Sequence, residues 1–231
     1  MYDFDGKDKV YTVNGVTFKM IAVKGGTFQM GSIFGSPGLQ VTLSDFYIGE
    51  TEVTQELWTA VMGNNPSIHT GLQYPVDLVS WNDCQKFITK LNQLTNTTFR
   101  LPTEAQWEYA ARGGCNSIGY VYSGSDVIDK VAWYYENCSG KQEFHPNPVK
   151  TKAPNELGIY DMSGNIEEWC SDWYASYSST EQINPTGPST GTSRVCRGGS
   201  YNDDAKYCRV TCRCAYPSDY STGYNGLRLA R

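Results

Sequence analysis

Eight cysteines, two histidines and a tyrosine-rich stretch are the side chains of this 231-residue chain best equipped for chemistry. Cys196, Cys208, Cys212 and Cys214 are bunched near the end, while Cys84, Cys115, Cys138 and Cys170 are scattered. Paired thiolates could hold a soft metal ion. No two cysteines are spaced C-x-x-C and the only histidines are His69 and His145, so a structural zinc site is not expected. An even cysteine count suits a disulfide framework in a small secreted chain, and this chain is not small. Cys84 reads as a small core residue on an apolar helix face. His69 reads as a solvent-exposed loop residue. Asp203-Asp204 could suggest a cation site, but adjacent carboxylates fit a solvated turn better.

The rest of the composition narrows the class. The net charge is −5 and there is no basic run, which disfavours nucleic acid as a partner. No apolar stretch approaches the ~18 residues a membrane span needs, so membrane insertion is not expected. The start, MYDFDGKDKV, is polar and does not read as a signal peptide. Aromatic residues at 13% with charged residues at 19% exclude a disordered chain. The compartment stays open between the cytoplasm and a virion or cell surface reached through other parts.

VTFKMIAVKGGTFQMGS predicts short strands around Lys24-Gly25-Gly26. VTLSDFYIGETEVT is a second extended run, alternating at Val41, Leu43, Phe46 and Ile48. Thr54 predicts an N-cap for a helix through Met62, stopped by Gly63. Ser80 caps a second helix whose face is Cys84, Phe87, Ile88, Leu91 and Leu94. Thr103 and Gln106 form a capping box for a third, ending at Gly113-Gly114. Residues 176–193 predict a long surface loop. VCRGGSY and GLRLAR read as strands. No repeat or linker divides the chain, so residues 1–231 predict one α+β domain.

Segments GGTFQMGS (25–32), FYIGETEVTQELWTAVMG (46–63), YPVDLVSWNDCQKFITKLN (74–92), FRLPTEAQWEYAARGG (99–114), NELGIYDMSGNIEEWCSDWY (155–174), RVCRGGSY (194–201) and GLRLAR (226–231) together resemble the sulfatase-modifying-factor family of formylglycine-generating enzymes. The resemblance implies a C-type-lectin-like fold: a small twisted antiparallel sheet, two or three helices and much irregular loop, with the N- and C-terminal strands in one sheet. It also implies two catalytic cysteines after RGGS. Those positions hold Asp203 and Cys208, so one of the pair is absent. If the chain were an enzyme, Cys208 would be the surviving thiolate. By the same resemblance, the Asn165 side chain, the Ile166 carbonyl and the Glu168 carboxylate would hold a structural calcium ion, and no cofactor would be required for function.

Residues 201–225, YNDDAKYCRVTCRCAYPSDYSTGYN, lie between the two better-patterned strands. Of these 25 residues, 18 are Tyr, Asn, Asp, Cys, Ser, Thr or Gly. Every member of that set is encoded by a codon differing from the Asn codon AAC only at its adenines. The stretch therefore resembles the variable region of diversity-generating-retroelement proteins, which carry this type of lectin fold. That resemblance implies a non-catalytic binding protein and a ligand surface formed by Tyr201, Asn202, Asp203, Asp204, Tyr207, Cys208, Thr211, Cys212, Cys214, Tyr216, Asp219, Tyr220, Ser221, Thr222, Tyr224 and Asn225. Tyrosine supplies broad contact area at small entropic cost, and Ser, Asn and Gly supply adaptable hydrogen bonds. The expected partner is a protein or glycan on a cell surface. The alternatives are an oxidase of the formylglycine-generating type using Cys208, and a structural domain of a virion or surface assembly.

Overall fold

The computed structural model describes residues 4–31, 38–138 and 145–231; Ser32, the last residue of the GGTFQMGS segment, lies outside them. Five strands open the chain: β1 (Lys9–Val13), β2 (Val16–Val23), β3 (Gly26–Met30), β4 (Leu39–Leu43) and β5 (Phe46–Gly49). Strands β1, β2 and β5 form one antiparallel sheet. Successive side chains of a strand point to opposite faces, and here both faces are buried. Met20 and Tyr47 enter one core, with Leu57, Trp58, Phe87 and Leu91. Ile21, Val23, Phe46 and Ile48 enter the other, with Trp107, Tyr109 and Ala110.

The helices on either side start where their caps dictate. Thr54 caps α1 (Gln55–Met62), and Gly63 ends it in the left-handed conformation at φ 85°. Ser80 caps α2 (Trp81–Thr95) with a reciprocal box to Asp83. Cys84, Phe87, Ile88 and Leu91 are buried on its inner face, but Leu94, in the last turn, is exposed. Thr103 and Gln106 form the expected box for α3 (Glu104–Ala111), which is buried all round. That helix stops two residues ahead of the expected glycines. The turns α4 (Ile128–Val131) and α5 (Tyr135–Cys138) follow.

The second half supplies β6 (Glu167–Trp173), β7 (Gln182–Ile183), β8 (Arg194–Arg197), β9 (Arg213–Tyr216) and β10 (Asn225–Gly226). A four-stranded sheet runs β10-β6-β8-β9, and a three-stranded one runs β3-β4-β7. Residues 176–193 are mostly exposed, as a surface loop should be, but β7 within them pairs in parallel with β4. GLRLAR differs from expectation in form: only Gly226 belongs to a ladder strand. The rest runs extended beside β5, with Gly49 N donating to Leu229 O (2.8 Å), and Tyr47 and Arg231 exchanging N–H···O bonds of 2.9 Å in both directions. The two ends of the chain thus share a sheet. This mixed α+β arrangement is a C-type-lectin-like fold. No helix among the described residues is long and apolar enough to cross a membrane.

Candidate functional site

The 201–225 stretch is held at both ends by buried backbone. On its N-terminal side, β8 gives way to Gly198 and Gly199, at φ 102° and 67°. A Cβ on Gly199 would lie 2.8 Å from the Tyr207 carbonyl, so the chain folds back tightly there. Ser200 then donates to Asp203 Oδ2 through its N–H (2.9 Å) and its hydroxyl (2.7 Å), closing a turn before the 3-10 helix Ala205–Cys208. Asp203, which stands where the resemblance expects a catalytic cysteine, is therefore a turn staple. On the C-terminal side Leu227, Arg228 and Leu229 are fully or almost fully buried.

Between these anchors the expected ligand residues divide into three groups. Asn202, Asp204, Tyr207, Asp219, Tyr220, Ser221 and Tyr224 are exposed. Asp203, Thr211, Cys212, Cys214, Tyr216 and Thr222 are half-buried. Tyr201, Cys208 and Asn225 are buried, which corrects their assignment as contact residues. Tyr201 packs its ring 5.6 Å from that of Tyr224, and its N–H donates to the Asn165 carbonyl (2.8 Å). Cys208 packs with Ala132 and Tyr134. Asn225 donates to Glu167 Oε2 (2.8 Å) and accepts from the Thr222 hydroxyl (2.6 Å).

The exposed aromatics do not stand alone. Tyr220 stacks on Tyr216 at 4.8 Å between centroids and 18° between planes. Tyr216 in turn meets Trp169 edge-on at 6.2 Å. Residues from outside the stretch border the same face. The Ile68 side chain reaches within 3.2 Å of where a Cβ on Gly223 would lie, and Ile68 is 60% exposed. Leu78 N donates to Thr222 O, and Tyr135 N to Asp203 O. Sequence reasoning missed Ile68, Leu78 and Tyr135. Isolated apolar residues in polar loops carry no periodic signal, and only their exposure marks them.

A rigid charged layer supports this face. Arg213 makes two bonds to Glu104, of 2.5 and 2.7 Å, and stacks over Tyr177 at 4.0 Å. Arg197 is wholly buried and pairs with Glu108, with Glu104 at 3.4 Å, while donating to the Cys212 carbonyl. Cavities of about 500 and 610 Å³ lie along the 171–188 segment, and of residues 201–225 only Arg213 lines either. Among the described residues, the exposed tyrosines line neither of these two cavities.

Two chemistries raised by resemblance meet poor geometry. The Cys208 thiol is pushed up by burial, with Asp203 adding to the shift, so it is protonated and a weak nucleophile or ligand. The calcium residues do not fit a calcium ion. Both Glu168 oxygens are taken by Arg228, at 2.7–3.1 Å, and Oε2 also accepts from Trp107 Nε1 at 2.7 Å. The Asn165 amide turns the other way, accepting from Asn147 N (2.9 Å) and donating to Glu52 (2.8 Å), and Ile166 N also donates to Glu52. Where an ion would sit against Glu168, a guanidinium sits instead.

Known proteins resemble this chain over most of its length. The sulfatase-modifying factor enzyme 1-like domain family matches residues 11–231. Chaperone protein LppX of Paenibacillus barcinonensis is 34% identical, covering 94% of this chain and 90% of that protein. The formylglycine-generating enzyme of Thermomonospora curvata is 36% identical over 75% of this chain, and the match spans 60% of the enzyme's length. Among solved structures, Treponema denticola variable protein 1 superposes with a TM-score of 0.86 at 35% identity, covering 96% of this chain and 98% of that one.

Proposed function

The chain belongs to the sulfatase-modifying factor enzyme 1-like domain family, and from that premise we propose that it is a non-catalytic binding protein whose diversified C-terminal face recognises a ligand. The observation that carries this reading is the division within residues 201–225. Tyr207, Tyr220 and Tyr224 are 46%, 41% and 37% exposed, while the residues that frame them are buried and hydrogen-bonded. Such a frame tolerates exchange at its exposed positions because stability resides elsewhere. The likeness to a protein titled a variable protein supports the same reading. An exposed, tyrosine-rich face suits a macromolecular partner, a protein or glycan on a cell surface, better than a small molecule.

The relatives that are enzymes raise the oxidase alternative. Against it stand Asp203, engaged by Ser200, and Cys208, buried and protonated. The genomic test reads the DNA around the coding segment for residues 201–225. A nearby near-copy differing at adenines, beside a reverse transcriptase gene, is the expected finding, and its absence removes diversification from the reading. The biochemical test incubates the protein with copper, oxygen and a cysteine-containing peptide. Conversion of the peptide cysteine to an aldehyde would overturn the non-catalytic assignment.

A further inference from the structure

Cys196 and Cys214, separated by the whole β8–β9 excursion, are directly opposed in the antiparallel ladder. Cys196 also faces Trp169 across β6, and Glu167 lies two residues before Trp169 on that strand. The period of two therefore puts Glu167, Cys196 and Cys214 on one face of this sheet. One carboxylate oxygen of Glu167 and the two sulfurs all lie within 4.8 Å of one another. Ligands of a tetrahedral ion bound at about 2.0–2.3 Å stand roughly 3.5–3.8 Å apart, so small side-chain rotations would bring these three donors onto one ion, with its fourth position left to water.

We propose that Glu167, Cys196 and Cys214 form a binding site for a thiophilic divalent cation of the zinc class. Two sulfurs and one carboxylate are a donor set that suits zinc, whereas a purely thiolate pair would suit Cu(I). The surroundings are arranged as a ligand shell needs. Asn225 donates to Glu167 Oε2 at 2.8 Å and lies 3.9 Å from Cys196 Sγ. The Tyr216 hydroxyl donates to Glu167 Oε1 at 3.3 Å. Such outer contacts fix the orientation of metal ligands. Among the described residues Glu167 has no cationic partner, in contrast to Glu104, Glu108 and Glu168, each of which is paired with an arginine. With no arginine or lysine beside it, Glu167 is free of a competing cation, so a divalent ion could replace the protons this cluster carries. Cys196 and Glu167 are buried and Cys214 is half-buried.

Binding must displace protons. Affinity therefore rises with pH, because each ligand must lose its proton to bind. The spacing C-x₁₇-C hides this pair from motif reading, since strand register and not sequence proximity brings the sulfurs together. Cys214 lies within the 201–225 stretch, but the metal titration does not read ligand binding, so its failure leaves that reading standing.

The test titrates the reduced, metal-stripped full chain with Co²⁺ and then displaces it with Zn²⁺. The expected result is a sulfur-to-cobalt charge-transfer absorption saturating at one ion per chain, with tetrahedral visible bands, lost on zinc addition. Cys214→Ser, at a half-buried position and so tolerated by the fold, abolishes the band. Cys115→Ser, at an exposed cysteine, leaves it unchanged. Glu167→Gln weakens cobalt affinity by at least about tenfold, as loss of a ligand requires. An absent band, a band that persists in Cys214→Ser, or a Cys196–Cys214 disulfide found by mass spectrometry in protein purified without added oxidant would overturn the proposal.

Discussion

Tyr207 and Tyr220 each present an exposed ring, whereas Tyr201 buries its own, and under the proposed function this difference would separate recognition from stability residue by residue. Replacing Tyr207 or Tyr220 with alanine should move unfolding free energy by no more than about 0.5 kcal/mol, measured by urea denaturation. The same exchanges should weaken binding to whole bacterial cells that the parent protein labels by about tenfold or more. Tyr201→Ala should instead cost about 3 kcal/mol of stability by leaving a cavity between Tyr224 and the Asn165 backbone. A second contrast lies at Arg228, whose guanidinium is the cation among Glu52, Asp161 and Glu168. Arg228→Met should destabilise the fold by about 3–5 kcal/mol, because it leaves buried carboxylates unpaired. A midpoint of unfolding within error of the parent would contradict that account.

The elements make a different kind of prediction, since their ends are set locally. Thr103→Ala removes the cap of α3 and should cost about 1 kcal/mol. Gly226→Ala should cost about 1–3 kcal/mol, because its methyl would fall on the Ile166 side chain and 2.5 Å from the Val76 carbonyl. Thermal unfolding of both variants checks the order. The same locality explains what was legible beforehand. Thr54, Ser80 and Thr103 each declare a helix start within four residues, and Gly63 declares an end, so these could be read from the chain. Leu94 fits the helical period yet is exposed, and periodicity does not report which turns of a helix another element covers. Tyr201 and Asn225 share their residue types with the exposed positions, so composition alone could not sort them. Burial depends on the fold-back at Gly198-Gly199 and on the Glu167 contact, which are properties of the assembled chain.

At the scale of the whole molecule, buried acids set how stability follows pH. Burial pushes Asp77, Asp161 and Asp172 up to about 6 and Glu167 to about 7. Each raised carboxyl stays protonated in the fold where the unfolded chain has already released its proton. Their contribution is therefore fully present below about pH 4 and lost as pH rises towards about 7. Asp5 works in the opposite sense: its bond to Lys9 lowers it to about 2, so its contribution disappears as pH falls from about 4 to 2. Stability should peak at mildly acidic pH and decline towards neutrality. Denaturant midpoints measured from pH 4 to 8 test the slope, and Glu167→Gln should flatten its upper part. The pairing of residues 227–231 with β5 and Arg100 reaches further than thermodynamics. A frameshift or premature stop within the codons for 201–225 deletes Leu227, Arg228 and Leu229, and with them one edge of the first sheet and the cation among its buried acids. A chain cut short there loses that edge and that cation, whereas an in-frame exchange on the exposed face keeps both, so the fold would act as a reading-frame check if the proposed diversification operates on that segment.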